Sequence, residues 1–300
     1  MAGLSGDQIN FYREQGYLTV PDALALGTVE RLSAIVEQWT IEASGVSESD
    51  GFFDLEDSHQ ASDPRVRRFK RPVRNHPEFN ALARSDAVLD LISSLIGDAI
   101  RISPTDNKIN IKAPEYGAAV EWHQDWAFYP YTNDDLLAIG IALDDCAEEN
   151  GPLMVIPGSH KGPVHDHHTN GVFCGAIDPA ASGIDFSQAV PLTGRRGTMT
   201  IHHARTIHGS ALNTSANPRR LLLIMYAAAD AWPLLGVSDL EDFNSDMARG
   251  AATLVPRMTE VPVRIPLPPP ELNGSIYERQ SILENKYFEV FDETPNVRSN

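Results

Sequence analysis

After Gly97 the chain becomes a succession of short runs rich in branched residues: "NKINIKA", "LLAIGIALDDC", "LMVIP", "GTMTIH" and "RRLLLIMYAAA". Turn signals such as "EENGP" and "IPGSH" stand between them. Runs of this length and composition read as strands, and closely spaced strands build an all-β sandwich or jelly roll. A parallel sheet would need a helical crossover between each pair. The first hundred residues have a different texture and read as helical. Ser5 and Gln8 have capping-box spacing ahead of "INFYREQGY". "GTVERLSAIVEQWTIEA" sets Val29, Leu32, Ile35, Val36 and Trp39 at helical spacing, and "SDAVLDLISSLIG" predicts a helix between Ser85 as N-cap and Gly97.

The expected architecture is mainly β with flanking helices, in one domain over 1–300. Residues 1–100 form a mainly helical layer and 101–232 a jelly-roll core. A Gly/Pro/His-containing insertion at about 159–190 has no strand periodicity, and a loop of that length usually serves as a lid or binding loop. Residues 233–300 form a C-terminal extension, proline-rich in "VRIPLPPPELNG" and then helical in "SIYERQSILENKYFEVF". Its role is left open between a homodimer contact, a lid and packing. A net charge of −17 argues against nucleic-acid and anionic-membrane partners, which need a basic footprint. No apolar run approaches the roughly 18–20 residues of a membrane helix, and the N-terminus lacks the basic start and apolar stretch of a signal peptide. Two cysteines, Cys146 and Cys174, make neither a disulfide framework nor a thiolate metal site. The chain is expected to be soluble and cytoplasmic, in a reducing compartment.

Any metal site here has to be built from imidazole and carboxylate. The sharpest candidate is "VEWHQDWAFYPY", where His123 and Asp125 stand two apart and so point the same way on an extended strand. A third ligand has to come from another strand. The segment "TMTIHHARTIHGSALNTSANPRRL" offers His202, His203 and His208. An isolated His-x-Asp pair is weak evidence, and the flanking Trp122 and Trp126 suit a core equally well. The downstream context strengthens it. Gly209 and Ser210 follow His208, and Arg219 opens an apolar strand, where a half-buried guanidinium needs an anionic partner.

With these pieces in view, the chain resembles the phytanoyl-CoA dioxygenase family of iron(II)- and 2-oxoglutarate-dependent oxygenases. That family includes ectoine hydroxylases and many hydroxylases of secondary metabolism. "HQDWAFYP", "EENGPLMVIPGSHKG" and "HGSALNTSANPR" carry the likeness in the family's order, and "FYREQGYLTVPDAL" and "LIGDAIRIS" extend it to nearly the whole chain. The resemblance implies a double-stranded β-helix, a cupin-like jelly roll, using Fe(II), 2-oxoglutarate as co-substrate and O2. It implies that His123, Asp125 and His208 form the two-histidine, one-carboxylate triad, leaving three iron positions open. 2-Oxoglutarate would chelate iron through its C1 carboxylate and keto oxygen. Its far carboxylate would meet Arg219 fork to fork, with Ser210 beside it. Asn110 and Lys108 fall where relatives line the co-substrate site. Phytanoyl-CoA hydroxylases carry a tryptophan against the co-substrate where this chain has Ile141, a departure from the pattern. Halogenating relatives have Ala or Gly in place of the carboxylate, so Asp125 favours hydroxylation.

Other residues have plainer readings. On strand parity, some of Trp122, Trp126, Phe128, Tyr129 and Tyr131 should face the mouth of the barrel. Trp126 and Tyr129 are the choices for the substrate pocket, which would suit a small hydrophobic or ring-containing metabolite. Arg220 is expected on the outer side in a surface pair. "HDHH" (His165, Asp166, His167, His168) is expected to be solvated lid. His202 reads as packing or as a neighbour of the ligands, and His203 as a turn residue. The basic run "PRVRRFKRPVR" reads as a solvated segment balancing nearby acids; were the substrate an acyl-CoA, the run would meet its phosphates. The rival readings are 2-hydroxylation of an acyl-CoA, a non-catalytic cupin-like metabolite binder, and a zinc hydrolase.

Overall fold

The computed structural model describes residues 3–114, 117–264 and 275–289. The proline run 265–274 and the last residues of the expected C-terminal helix lie outside them. The N-terminal part runs α1 (Gly6–Gln15), β1 (Tyr17–Val20), α2 (Leu26–Glu42), β2 (Phe53–Leu55), β3 (Val66–Lys70), α3 (Pro72–Asn75), α4 (Pro77–Ala83) and α5 (Asp86–Ile96). Both halves of the Ser5–Gln8 capping box form, and Gly16 ends α1 in the left-handed region at φ 78°. The α2 face Val29, Leu32, Val36 and Trp39 is buried, and so are Val88, Leu89, Leu91, Ile92 and Ile96 of α5. Ser85 takes the N-cap position of α5, but its hydroxyl donates to Leu82 O instead of capping.

Three strands run through the region expected to be mainly helical. The basic run hides one of them, β3. Arg67 and Arg68 are not loop charges; they pair with Glu56 and Asp54 at 2.9 Å each, across from β3. Partnered charges inside a sheet erase the apolar alternation by which a strand is read.

The remaining elements are β4 (Ile100–Lys112), β5 (Val120–His123), β6 (Leu136–Ala142), β7 (Met154–Val155), β8 (His168–Thr169), β9 (Val172–Phe173), α6 (Pro179–Ser182), β10 (Val190–Pro191), β11 (Met199–His203), β12 (His208–Ser210), β13 (Arg219–Ala228), α7 (Leu240–Ser245), β14 (Met247–Arg249) and α8 (Ile276–Gln280). The expected strand runs all form. An eight-stranded major sheet has the order β1-β11-β6-β13-β4-β3-β2, with β14 also on β4, and a four-stranded minor sheet runs β10-β7-β12-β5. Pairing is antiparallel throughout both. The two sheets face each other as a jelly roll, and a cavity lies between them.

The outer face of the major sheet carries the helical layer, where Trp39 packs on Phe52, Phe69 and Phe79 with ring centroids 4.8, 5.4 and 5.3 Å away. Each large side chain so buried contributes roughly 1.5–3 kcal/mol. The outer face of the minor sheet is covered by the insertion. Ile177, Ile184 and Phe186 pack with Trp122, Ile156, Ile207 and Phe288. The C-terminal helix is shorter than expected, ending at Gln280. Gln280 there turns its amide to Glu121 O and Gly175 O, while buried Glu121 accepts from the backbone N–H of Tyr287 and Phe288. These anchors fasten residues 280–288 to β5 in place of continued helix, while β14 earlier in the extension pairs with β4.

Candidate active site

β5 and β12 are neighbours, and their register sets His208 directly opposite His123, with ring centroids 4.1 Å apart. Asp125 has left the strand; it opens a single 3-10 turn, Asp125–Ala127. Gln124 is still extended (φ −122°, ψ 127°), so the two-residue alternation survives and Asp125 turns to the side of His123. Asp125 Oδ1 lies 3.9 Å from His123 Nε2 and 3.7 Å from His208 Nε2. One donor atom of each of the three falls within 4.8 Å of the others, and all three residues are buried.

The backbone fixes the tautomers. His123 Nδ1 lies 2.8 Å from Glu121 O and His208 Nδ1 lies 2.9 Å from Thr206 O. A carbonyl only accepts, so both protons sit on Nδ1 and both Nε2 lone pairs face Asp125. Burial lowers both imidazoles, His123 well below its ordinary value and His208 to about 4. Burial pushes the Asp125 carboxyl up, yet His208, His202 and His123 hold it below the ordinary carboxylate range. Near neutral pH this is two neutral imidazoles and one carboxylate, a donor set that suits a non-haem iron(II) with open positions.

The ligand-bearing turn is clamped from the insertion. Gln124 is fully buried; its backbone N–H donates to His167 Nε2 at 2.9 Å, and its amide donates to Arg205 O at 2.8 Å and Pro163 O at 3.2 Å. His167 in turn donates from Nδ1 to His165 O at 2.8 Å, and burial lowers it to about 4. This corrects the expectation that the "HDHH" run is solvated. Asp166 is exposed, but His167 is a buried strut. Among the described residues the run forms no second group of metal donors.

At the other end of the cavity stands Arg219, 3 % exposed. Its Nη2 donates to Gly151 O at 2.9 Å, whereas Nε and Nη1 are buried without a partner. Gly151 supplies that carbonyl from the left-handed region at φ 70°, and a Cβ there would lie 2.6 Å from Ala211 O. Lys112, opposite Arg219 in register, is also buried and donates to Ser210 O at 3.1 Å and to Ala211 O. Burial pushes both cations below their ordinary values, and for Lys112 the neighbouring guanidinium adds to it. Among the described residues no acid lies in hydrogen-bonding reach of Arg219, and a buried guanidinium so placed makes a site for an anion.

The cavity is lined at one end by His123, Asp125 and His208 and at the other by Arg219 and Ser210. Asn110 and Lys108 line it from β4, as the resemblance implied, and the Asn110 Oδ1 is buried without a partner. Gly209 permits the close fit, since a Cβ there would meet Val120 O and the Phe288 ring at 3.0 Å.

Other expected site residues are placed elsewhere. Trp126 is 1 % exposed, donates from its indole to Pro262 O at 2.9 Å and packs beside Leu136 and Met225; neither it nor Tyr129 lines this cavity. The 3-10 turn at Asp125 ends the strand, so strand alternation does not extend to these two rings. Ile141 faces the helical layer, and from β6 it is Ala138 that lines the cavity. His203 ends β11 instead of occupying a turn, packs near Tyr12 and His160, and is lowered by burial to about 3. Arg220 pairs with Asp144 at 2.6 Å on the outer side, as expected. Arg65, Arg67, Arg68 and Arg74 of the basic run are engaged with Asp63, Glu56, Asp54 and Asp246.

Sequence reading missed His167, Gln124 and Lys112. Lys112 could have been found, because it continues the two-residue alternation of Lys108 and Asn110. The role of Gln124 was signalled only by its place between two candidate ligands. Nothing local marked His167.

The model of the phytanoyl-CoA dioxygenase (PhyH) family matches residues 12–221. A probable alpha-ketoglutarate-dependent hypophosphite dioxygenase of Stutzerimonas stutzeri is 40% identical over 286 residues, covering 94% of this chain and 99% of that protein. An L-proline trans-4-hydroxylase of Streptomyces griseoviridis is 37% identical over 165 residues, covering 48% of this chain and 61% of its own. Among solved structures, the non-heme alpha-ketoglutarate-dependent carbocyclase SnoK of nogalamycin biosynthesis superposes with a TM-score of 0.61 at 26% identity, over 83% of this chain and 93% of its own. Matched across most of its length by the family model and carrying the family's donor set in one cavity, the chain belongs to the phytanoyl-CoA dioxygenase family of Fe(II)- and 2-oxoglutarate-dependent oxygenases.

Proposed function

We propose that the chain is an Fe(II)- and 2-oxoglutarate-dependent dioxygenase that oxidises a compact anion, with hypophosphite as the first candidate. His123, Asp125 and His208 would hold the iron, and Arg219 would receive the far carboxylate of 2-oxoglutarate. One observation carries this reading: a single cavity has three metal donors at one end and, at the other, a buried guanidinium with two nitrogens that find no partner among the described residues. Arg219 Nε and Nη1 would take the two oxygens of the far carboxylate, with Ser210 lining the cavity beside them. Leu153, Leu221 and Ile224 exclude water along the co-substrate's length. Bound iron supplies O2 activation coupled to oxidative decarboxylation. One oxygen atom ends in succinate and the other in the product, so hypophosphite becomes phosphite while 2-oxoglutarate loses CO2.

Three features support a compact anion over a ring-containing metabolite. The aromatic rings expected at the mouth do not line the cavity. The relative that matches over nearly its whole length is named for hypophosphite. Lys108, Asn110 and Lys112 alternate along one face of β4, in two-residue steps of about 6.6 Å. The same face carries Arg219's register partner Lys112 at one end, so the wall of the cavity on β4 is polar where a ring-containing substrate would need apolar contacts. The acyl-CoA reading is weakened, since Arg65, Arg67, Arg68 and Arg74 of the run are already paired with acids. Cys146 and Cys174 are free and buried, in keeping with a reducing compartment.

The test is stoichiometric. Wild-type protein with Fe(II), 2-oxoglutarate and O2 should release succinate and phosphite one to one when hypophosphite is added. Succinate release that hypophosphite leaves unchanged and L-proline accelerates would overturn the substrate. Near wild-type turnover in His208→Ala would overturn the site.

A further inference from the structure

We propose that His202 is a positioning residue that holds Asp125 to one-oxygen coordination of the metal, an inference that rests on the reading of Asp125 as a ligand. The two oxygens of Asp125 face different ways. Oδ1 looks towards the Nε2 atoms of His123 and His208, at 3.9 and 3.7 Å. Oδ2 looks towards His202 Nε2, at 3.4 Å. His202 is 1 % exposed, and its Nδ1 is buried with no hydrogen-bond partner. An N–H left unpaired in such a place costs about 1–3 kcal/mol. A proton on Nε2 avoids that cost, because it is donated to Oδ2.

The ring has little freedom to do otherwise. His202 sits on β11, in register with Tyr17 of β1 on one side and Ala138 of β6 on the other. Its ring packs on that of His208, with centroids 4.4 Å apart. A residue of the major sheet thus reaches across the cavity to a carboxylate just beyond the minor sheet. With Oδ2 occupied, Asp125 offers the ion one oxygen, and the position a second oxygen would take stays free for co-substrate or O2. His202 itself is no ligand; it acts through Asp125.

The experiment reads metal binding, with Co(II) as a spectroscopic probe and Fe(II) affinity measured anaerobically. His202→Gln can place an N–H near the Nε2 position, whereas Asn is too short and Phe has no donor. The expected result is Fe(II) affinity within about 3-fold of wild type for His202→Gln and 10–100-fold weaker for His202→Asn and His202→Phe, the usual scale for a lost partner of a metal ligand. The Co(II) visible bands should weaken in the Asn and Phe variants as the carboxylate swings to two-oxygen binding. Equal affinity and identical Co(II) spectra in all three would overturn the proposal. If the Phe variant fails to fold, the Gln–Asn difference still decides it. Unchanged metal affinity in Asp125→Ala would instead bring down the ligand assignment.

Discussion

The two sheets hold their functional residues by different means. In the major sheet β4 and β13 run 13 and 10 residues and pair along most of their length. Register alone then places Arg219 opposite Lys112 and aligns Asn110 and Lys108 on the same face. In the minor sheet β5, β7, β10 and β12 have only two to four residues each. Ladders that short fix little by themselves. The ligand turn is instead gripped by side chains from outside the sheet: His167 on Gln124, His202 on Asp125, and Gln280 on Glu121. The anion end of the cavity is built by a sheet, and the metal end by clamps.

That contrast predicts separable failures. The largest effect is expected for His208→Ala, which removes a donor from the clamped end. Turnover should fall by about 10³-fold or more, as for groups that work as a unit. Iron affinity, measured by anaerobic titration, should collapse with it. Arg219→Ala strikes the other end. Loss of a charge-assisted contact worth roughly 1.5–3 kcal/mol should raise the KM for 2-oxoglutarate about 10–100-fold while iron affinity stays put. If Arg219→Ala also released the metal, the two ends would be one unit and the comparison would break.

His167→Leu sharpens the idea of clamping. It leaves the buried Gln124 N–H without an acceptor, at a cost of about 1–3 kcal/mol at neutral pH. Denaturant titration of the iron-free protein measures this. The effect depends on pH with a definite sign. His167 and His208 are lowered to about 4 in the folded state, from 6.5 when exposed. Between those values the unfolded chain binds more protons, so stability present above pH 6.5 is lost as pH falls towards 4. The His167→Leu variant has one such proton fewer and should lose stability less steeply over that window. Parallel curves for variant and wild type would mean that His167 is not the buried neutral strut.

The contrast also explains what could be read in advance. Strands of the major sheet announce themselves in "NKINIKA" and "RRLLLIMYAAA", because long hydrogen-bonded strands with a buried face need branched residues. Arg219 was legible for the same reason, as a lone cation opening such a run. The triad was legible through spacing, since an extended backbone carries His123 and Asp125 to one side. The clamps were not. Gln124–His167 links residues 43 positions apart and His202–Asp125 links residues 77 apart. No local pattern encodes such a pair. Strand β3 was hidden by its own ion pairs, and the place of Trp126 depends on its long-range indole contact with Pro262 O, 136 residues away.

The smallest effect is expected at the basic run, which tests whether charge outside the cavity matters at all. Arg65 pairs with Asp63 at 2.7 Å, but the acid is 59% exposed, so water screens the contact. Such pairs contribute about 0–1 kcal/mol. Arg65→Ala should shift the denaturation midpoint barely, and it should leave the KM for both 2-oxoglutarate and hypophosphite unchanged at physiological salt. A run that steers anions behaves differently: its loss slows substrate capture at low ionic strength, and the deficit vanishes as salt is added. Measuring kcat/KM for Arg65→Ala at two salt concentrations separates the cases. A salt-dependent deficit would extend the anion-gathering surface beyond Arg219, and the cavity would no longer account for recognition by itself.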